Sequence, residues 1–355
     1  MSPLRGAIAQ TQNPILTGAL FWVLTKGPAT LREPLINSLE RILSPANVTR
    51  FITALKWMIY MGLGGKVNQA LNDWATNNWQ WKTEKDKWDF KREVAVVTGG
   101  CSGIGLEIVR GLMRKGVRVA VFDVQPLPKE IENYGNIKYF YCDVTTPSSI
   151  SDAAHSLRLT WGDPSILVNN AGVGRPHSIL ETTNEWAETI FKINIISHFW
   201  MCKEFMPDMV KKNKGHIIGL ASMASFVAPP GIVDYASTKA AVLAFHEGLS
   251  MEIKHLYKTP GLLNTVVHPS WVKTPLVGGY EAHLEKTQGK LMNPVLIAKK
   301  ITDQILSCRG GQLVMPRELK IAAGIRGHPN WLQEVIRDIA VGGAASQFPD
   351  PKKGQ

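Results

Sequence analysis

Residues 93–105 read Glu-Val-Ala-Val-Val-Thr-Gly-Gly-Cys-Ser-Gly-Ile-Gly. The apolar, β-branched run from Val94 to Val97 has the length and composition of a buried strand. A glycine-rich turn follows, and then Leu106, Ile108, Val109, Leu112 and Met113 recur at helical spacing. A strand that passes through glycines into an amphipathic helix offers the free N–H groups of the first helical turn to an anion. Gly99, Gly103 and Gly105 would let the backbone approach a pyrophosphate, in a variant spacing of the dinucleotide-binding turn.

Strand and helix patterns alternate onward from this turn. Further strands are expected at Val117–Phe122, Ile137–Cys142, Ile166–Val168, His216–Ala221, Leu263–His268 and Gly310–Met315. The longest amphipathic pattern between them runs from Asn184 to Lys212. The alternation predicts the α/β class: a single Rossmann-type, doubly wound parallel sheet with helices on both faces. Asp123 ends the second strand about twenty residues past the glycine turn, where a carboxylate can bond the adenosine ribose hydroxyls and would repel a 2′-phosphate. No Arg or Lys stands at 100–102 to offset it, so NAD(H) is expected over NADP(H), with the phosphorylated form left open.

Residues 222–239, SMASFVAPPGIVDYASTK, carry the candidate chemistry. On a helix, Tyr235 and Lys239 share one face, one turn apart. A free phenol is a poor base at neutral pH, and a fixed ammonium beside it would draw its pKa down. The strand ending at Ala221 would deliver the Ser222 hydroxyl beside that phenol. A Tyr-x-x-x-Lys pair alone arises by chance in many helices, so its weight comes from its company.

That company is Thr98-Gly-x-x-x-Gly-x-Gly105, Asn169-Asn170-Ala171-Gly172, Asn194, Ser222 and Tyr235-x-x-x-Lys239, in that order. Together they resemble the short-chain dehydrogenase/reductase family over residues 92–316. The resemblance implies reversible hydride transfer between a nicotinamide and an alcohol or carbonyl carbon. Tyr235 would exchange the proton, Ser222 would hold the substrate oxygen, and Lys239 would tune Tyr235 and bind the nicotinamide ribose. Asn194 would hold a water in the proton relay. Thr98, Gly99, Ser102, Gly103, Ile104 and Gly105 would contact the cofactor, Asp143 and Val144 its adenine, and Asn170, Ala171 and Gly172 its flank. Pro269, Val272 and Thr274 would lie at the nicotinamide, although this chain has Pro269-Ser270 where the family usually has Pro-Gly. Residues 275–293 would form a variable lid with Gly278-Gly279 as a hinge.

Residues 1–91 read as a largely helical extension, 92–316 as the catalytic domain and 317–355 as a helical tail. Two apolar runs in the extension, Ile15–Thr25 and Phe51–Gly65, fall short of the roughly 20 residues that a spanning helix needs. Trp22, Trp57, Trp74, Trp79, Trp81 and Trp88 are interleaved with Lys56, Lys66, Lys82, Lys85 and Lys87. That pattern suits a headgroup interface, or else a segment packed over the catalytic domain. The formal charge of +11 favours anionic surfaces. Without a nucleic-acid motif, the expected partner is a membrane or lipid-droplet surface and not nucleic acid. Cys101, Cys142, Cys202 and Cys308 have neither metal nor disulfide spacing, which suits a reduced, cytosol-facing domain. Lys211-Lys212-Asn213-Lys214 reads as a solvated turn.

Met223, Phe226, Val227, Pro229, Pro230 and Leu276 surround the reaction centre in sequence and are apolar. The extension, Asn194-Ile195-x-x-x-Phe199-Trp200, Gly215-His216-Ile217 and Asp234-Tyr235 look like the branch of the family at the endoplasmic reticulum and lipid droplets, which acts on retinoids, steroids and long-chain alcohols. A lipophilic small-molecule substrate is therefore expected. A secondary-metabolite tailoring enzyme would use the same residues, and a non-catalytic lipid-surface scaffold would keep only the extension. The resemblance also implies a homodimer through the helices bearing Asn194 and Tyr235. The pattern Trp331-Leu332-x-x-Val335-Ile336-x-x-Ile339 predicts a last amphipathic helix, free to cover the substrate mouth, meet a second subunit or rest on a membrane, before a Gly/Ala/Pro/Lys end.

Overall fold

The computed structural model describes residues 13–341. The chain divides into two compact units, Met1–Ala75 and Thr76–Gln355. In the first, helix α1 spans Pro14–Lys26; the Asn13 side chain accepts the Ile15 N–H, and proline occupies the first helical position, where no N–H is needed. Helices α2, Ala29–Glu40, and α3, Pro45–Thr76, follow. Few side chains of this unit are buried, Leu24, Val48 and Leu55 among them. Trp22 is 54% and Trp57 62% exposed. Trp57, Tyr60, Met61, Val67 and Leu71, all exposed, fall within one face of α3 at helical spacing. No helix among the described residues is long and apolar enough to cross a membrane.

The second unit is built on seven strands: β1 Val94–Thr98, β2 Arg118–Asp123, β3 Ile137–Tyr141, β4 Ile166–Asn169, β5 Gly215–Leu220, β6 Leu262–Pro269 and β7 Gly311–Met315. They pair in the order β3-β2-β1-β4-β5-β6-β7. Every pairing is parallel. Continuing the helix series, the connections carry α4 Gly103–Met113, α5 Pro147–Trp161, α6 Asn184–Phe191, α7 Ser197–Lys212, α8 Val233–Met251, α9 Glu281–Gln288 and α10 Pro294–Leu306; α11, Asn330–Val341, follows the sheet.

The central strands are mostly apolar and buried because both faces of the sheet are covered, whereas edge strand β3 is partly exposed. Ala95, Val97, Val119, Val121, Ile166 and Val168 face α4 and α10 in one core. Their neighbours Val94, Val96, Ala120, Phe122 and Leu167 face α5 and α7 in the other. The order of connections reverses between β1 and β4, which opens a crevice beyond their carboxyl ends.

Residues 76–91 and 317–341, read from the sequence as parts of an extension and a separate tail, group with the sheet unit. Specific bonds explain this. The Asn77 side chain accepts the Gly310 N–H at 2.9 Å, and Trp88 stacks on Phe90 and lies under the Lys214 ammonium, 4.9 Å from its ring centre. Lys214 also pairs with buried Glu93, so the lysine run is solvated only in part. Ile336 of α11 packs on a core that includes Ile195 and Val242, while Trp331, Val335 and Ile339 remain exposed. The Gly/Ala/Pro/Lys end lies outside the described residues.

Candidate active site

The carboxyl ends of β1 and β4 are pinned together by side chains. The Thr98 hydroxyl accepts the N–H groups of Asn170 and Ala171, each at 3.0 Å. The Asn170 amide donates to the carbonyls of Thr98 at 2.9 Å and Gly99 at 3.0 Å. Gly99 and Gly103 have φ of 63° and 54°, in the left-handed region that favours glycine. At Gly105 an added Cβ would overlap the Gly99 carbonyl oxygen and crowd Asn170. Helix α4 starts at Gly103 with no side-chain cap from Ser102, so its leading N–H groups point into the crevice without one. A cradle that tolerates no Cβ at the head of an uncapped helix fits a dinucleotide pyrophosphate.

Asp123 is buried at the end of β2, and its oxygens accept the N–H groups of Cys101 and Gln125, each at 2.9 Å. This carboxylate therefore shapes the glycine turn, and acceptor capacity remains on its oxygens for hydroxyls. Asp143 accepts from the Thr145 N–H and hydroxyl at 2.8 and 2.7 Å, and Val144 is buried next to it. Across the crevice, Thr274 stands in van der Waals contact distance of any Cβ at Gly103. Pro269 ends β6, and Val272 bridges to Met292.

The long helical pattern from Asn184 is interrupted by a π-helical turn, Lys192–Ile196. Such turns re-aim one side chain and recur at functional sites. The side chain it re-aims is Asn194, fully buried, which accepts the Val173 N–H at 2.8 Å and donates to the Val173 carbonyl and the Thr238 hydroxyl. Through these bonds the amide ties the loop after β4 to α8.

Ser222, Tyr235 and Lys239 converge as expected. Ser222 follows β5 and accepts the Ala224 N–H at 3.1 Å, and its hydroxyl bonds with Tyr235. Lys239 is 4% exposed, donates to the Leu220 carbonyl at 2.7 Å, and lies 5.5 Å from the centre of the Tyr235 ring. Burial draws its pKa down to about 8. The expectation that Lys239 would pull the Tyr235 phenol down is corrected. Tyr235 is partly accessible because it lines a cavity, yet the protein packed around it pushes its pKa up to about 12, opposed only by the Ser222 hydrogen bond. Desolvation disfavours the phenolate and is the larger of the two effects.

The cavity holds about 320 Å³. Beside the Ser222 and Tyr235 hydroxyls its wall includes Met223, Val227, Pro229, Leu276 and Val277. The expected lid folds on a small core of its own, Val277, Leu284 and Leu291 against Trp271, and Gly279 takes a φ of 88°.

Sequence reasoning missed His268, Gly174 and a group around Asp234. His268 lies 3.1 Å by Nδ1 from the Ser222 carbonyl and 3.2 Å by Nε2 from the Gln312 amide nitrogen. Nδ1–H therefore donates and Nε2 accepts, and burial holds the ring neutral with a pKa of about 4. A Cβ at Gly174 would press on the Tyr235 ring at 2.8 Å. Asp234 accepts the Tyr235 N–H and the Trp186 indole N–H, each at 2.7 Å. Apart from the Asp234–Tyr235 bond between neighbours, these partners lie tens of residues apart in the chain, and no local pattern announces them.

A parallel sheet with a glycine cradle at its reversal point and a Ser–Tyr–Lys cluster on the same edge defines the class of nicotinamide dinucleotide-dependent oxidoreductases. The model of the short chain dehydrogenase family matches residues 93–285. The chain belongs to that family and is an oxidoreductase of the alcohol–carbonyl type, on a fold that binds NAD(P)(H). It is 35% identical over 243 residues to dehydrogenase RED2 of Cochliobolus heterostrophus, covering 67% of this chain and 88% of that protein. It is 29% identical over 221 residues to estradiol 17-beta-dehydrogenase 11 of Macaca fascicularis, covering 59% of this chain and 73% of the other. The crystal structure of 3-ketoacyl-(acyl-carrier-protein) reductase from Brucella melitensis complexed with NADH has the same fold, with a TM-score of 0.57 at 21% identity over 64% of this chain and 98% of that one.

Proposed function

We propose that this protein interconverts a lipophilic alcohol and its carbonyl with NAD(H), using Tyr235 as the acid and base. The observation that carries the reading is the cavity in which the Ser222 and Tyr235 hydroxyls meet an otherwise mainly apolar wall. Bound nicotinamide supplies or takes the hydride. Ser222 donates a hydrogen bond to the substrate oxygen and fixes its position. A phenol whose pKa is raised to about 12 holds its proton at neutral pH, so Tyr235 is ready to protonate the oxygen of a carbonyl being reduced. Lys239, anchored on the Leu220 carbonyl, returns charge and proton to Tyr235, and Asn194 keeps the loop and helix in place for that relay. Asp123 at the ribose position favours NAD(H) over NADP(H), and the uncapped start of α4 receives the pyrophosphate.

The exposed face of α3, Trp22 and the charge of +11 support a cytosol-facing protein whose extension rests on a membrane or lipid-droplet surface at the endoplasmic reticulum. In the sequence the catalytic domain would comprise residues 92–316, after an extension at 1–91 and before a tail at 317–355. A relative named for estradiol supports a steroid, retinoid or long-chain alcohol as the substrate class. Exposed Phe199 on α7 supports a homodimer through α7 and α8. Turnover of a retinol, a 17-hydroxysteroid and a long-chain alcohol, each with NAD and with NADP, tests the reading. Turnover with NAD is expected for at least one of the three; activity confined to small polar alcohols overturns it.

A further inference from the structure

The cavity wall contains no Asp or Glu and one permanent cation, Arg175. Among the described residues Arg175 forms no ion pair, and its guanidinium carbon lies 4.2 Å from the centre of the Trp186 ring. That ring is itself fixed. The Trp186 N–H donates to Asp234 at 2.7 Å, Asp234 also faces the His177 Nε2 at 3.2 Å, and its other oxygen caps the Tyr235 N–H. The brace thus runs from the start of the helix that carries Tyr235 to the guanidinium at the cavity. Stacking on an indole holds the plane of an arginine while leaving its edge N–H groups free for a bidentate acceptor. Backbone brings the same residue close to the chemistry, since Gly174, its neighbour, packs on the Tyr235 ring.

We propose that Arg175 is a specificity-determining residue that pairs with a carboxylate on the substrate, so that among lipophilic alcohols and ketones those that also carry an acid group are preferred. This rests on the reading of the cavity as the substrate site. An apolar wall receives the hydrocarbon, the Ser222 and Tyr235 hydroxyls receive the oxygen that reacts, and Arg175 receives the acid. Arg175 is exposed as well as lining the cavity, so the acid would lie at the solvent-facing side of the site, where the bidentate geometry and not burial gives the pair its strength. The absence of a carboxylate on the wall leaves nothing there to compete with the substrate's own.

Binding tests this without turnover. Decanoate and decanol are titrated calorimetrically into the full chain with NADH present, for the wild type, Arg175→Gln and Arg175→Lys. Wild type should bind decanoate more tightly than decanol, Arg175→Gln should lower that ratio about tenfold or more, and Arg175→Lys should keep part of it. A ratio unchanged by Arg175→Gln overturns the proposal. So does tighter binding of decanol by the wild type, or an effect of the substitution on the affinity for NADH in place of the ratio. Kinetics with hydroxydecanoates that differ in hydroxyl position, and with their methyl esters, give the second readout: the acid-to-ester ratio of kcat/KM should fall in Arg175→Gln. If the protein turns over no hydroxy compound while the binding ratio behaves as expected, the oxidoreductase reading of the cavity fails and the carboxylate site stands.

Discussion

Two halves of one crevice meet at Tyr235, and they are made of different material. Beyond β1 and β4 the surface is main chain, held by Thr98 and Asn170 and kept bare by Gly99, Gly103 and Gly105. Beyond β5 and β6 it is side chain, with Met223, Val227 and Leu276 around the two hydroxyls. A backbone surface has few solutions, because an added Cβ would meet the Gly99 carbonyl at Gly105 and the Ala171 backbone at Gly99. A side-chain surface has many, because one apolar group can replace another of similar volume at small cost. The first half is therefore narrowly constrained, and the second is freer to vary with the substrate.

Substitutions should separate the halves. Gly105→Val is expected to have the largest effect, since its Cβ would overlap the Gly99 oxygen. NADH binding should vanish in a fluorescence titration, and if the variant still binds NADH, the cradle has been misread. Next is the coupling of Lys239 to Tyr235. As the pH rises through about 8, Lys239 loses its proton, and kcat/KM for carbonyl reduction should fall with it; Lys239→Arg should move that limb to higher pH. A limb that stays in place in Lys239→Arg assigns it to another group.

The same shifts bear on stability with opposite signs. Lys239 is lowered from 10.5, so its contribution is full above that value and is lost as the pH falls through about 8. Tyr235 is raised from 10.0, so its contribution is full below that value and is lost as the pH rises through about 12. Asn194→Ala should leave the part-buried Val173 N–H without its partner and remove the bond to Thr238, lowering unfolding stability by about 1–3 kcal/mol, measured by urea denaturation. The smallest effect is expected from Asp123→Ala: a relaxed preference for NADH over NADPH, together with some loosening of the turn that this carboxylate holds through Cys101. An unchanged preference would mean that Asp123 serves the turn alone.

The sheet was legible because a strand buried on both faces must be apolar at every position, and Val94–Val97 is. The glycine turn was legible because its constraint is local: Gly99 and Gly103 sit at positive φ within a few residues of each other. Ser222, Tyr235 and Lys239 could be placed for a similar reason, being carried by one strand end and one helix turn. Local patterns stop there. The pKa of Tyr235 depends on how tightly distant segments surround it, and the sequence suggested the opposite direction because it sees Lys239 and not the packing. Residues 76–91 read as extension on composition, while contacts from distant segments, Gly310 to Asn77 and Lys214 to Trp88 among them, join them to the sheet unit. The Arg175–Trp186–Asp234 brace depends on contacts between segments that no spacing links.

The most direct measurement is nucleotide oxidation by wild type and Tyr235→Phe when each is mixed with NADH and a long-chain ketone or keto acid, with NADH affinity determined for both. The account predicts nearly equal affinities and a rate lower by about 10²–10⁴-fold in Tyr235→Phe, the range for loss of a positioned acid. Wild-type rates in Tyr235→Phe would contradict it.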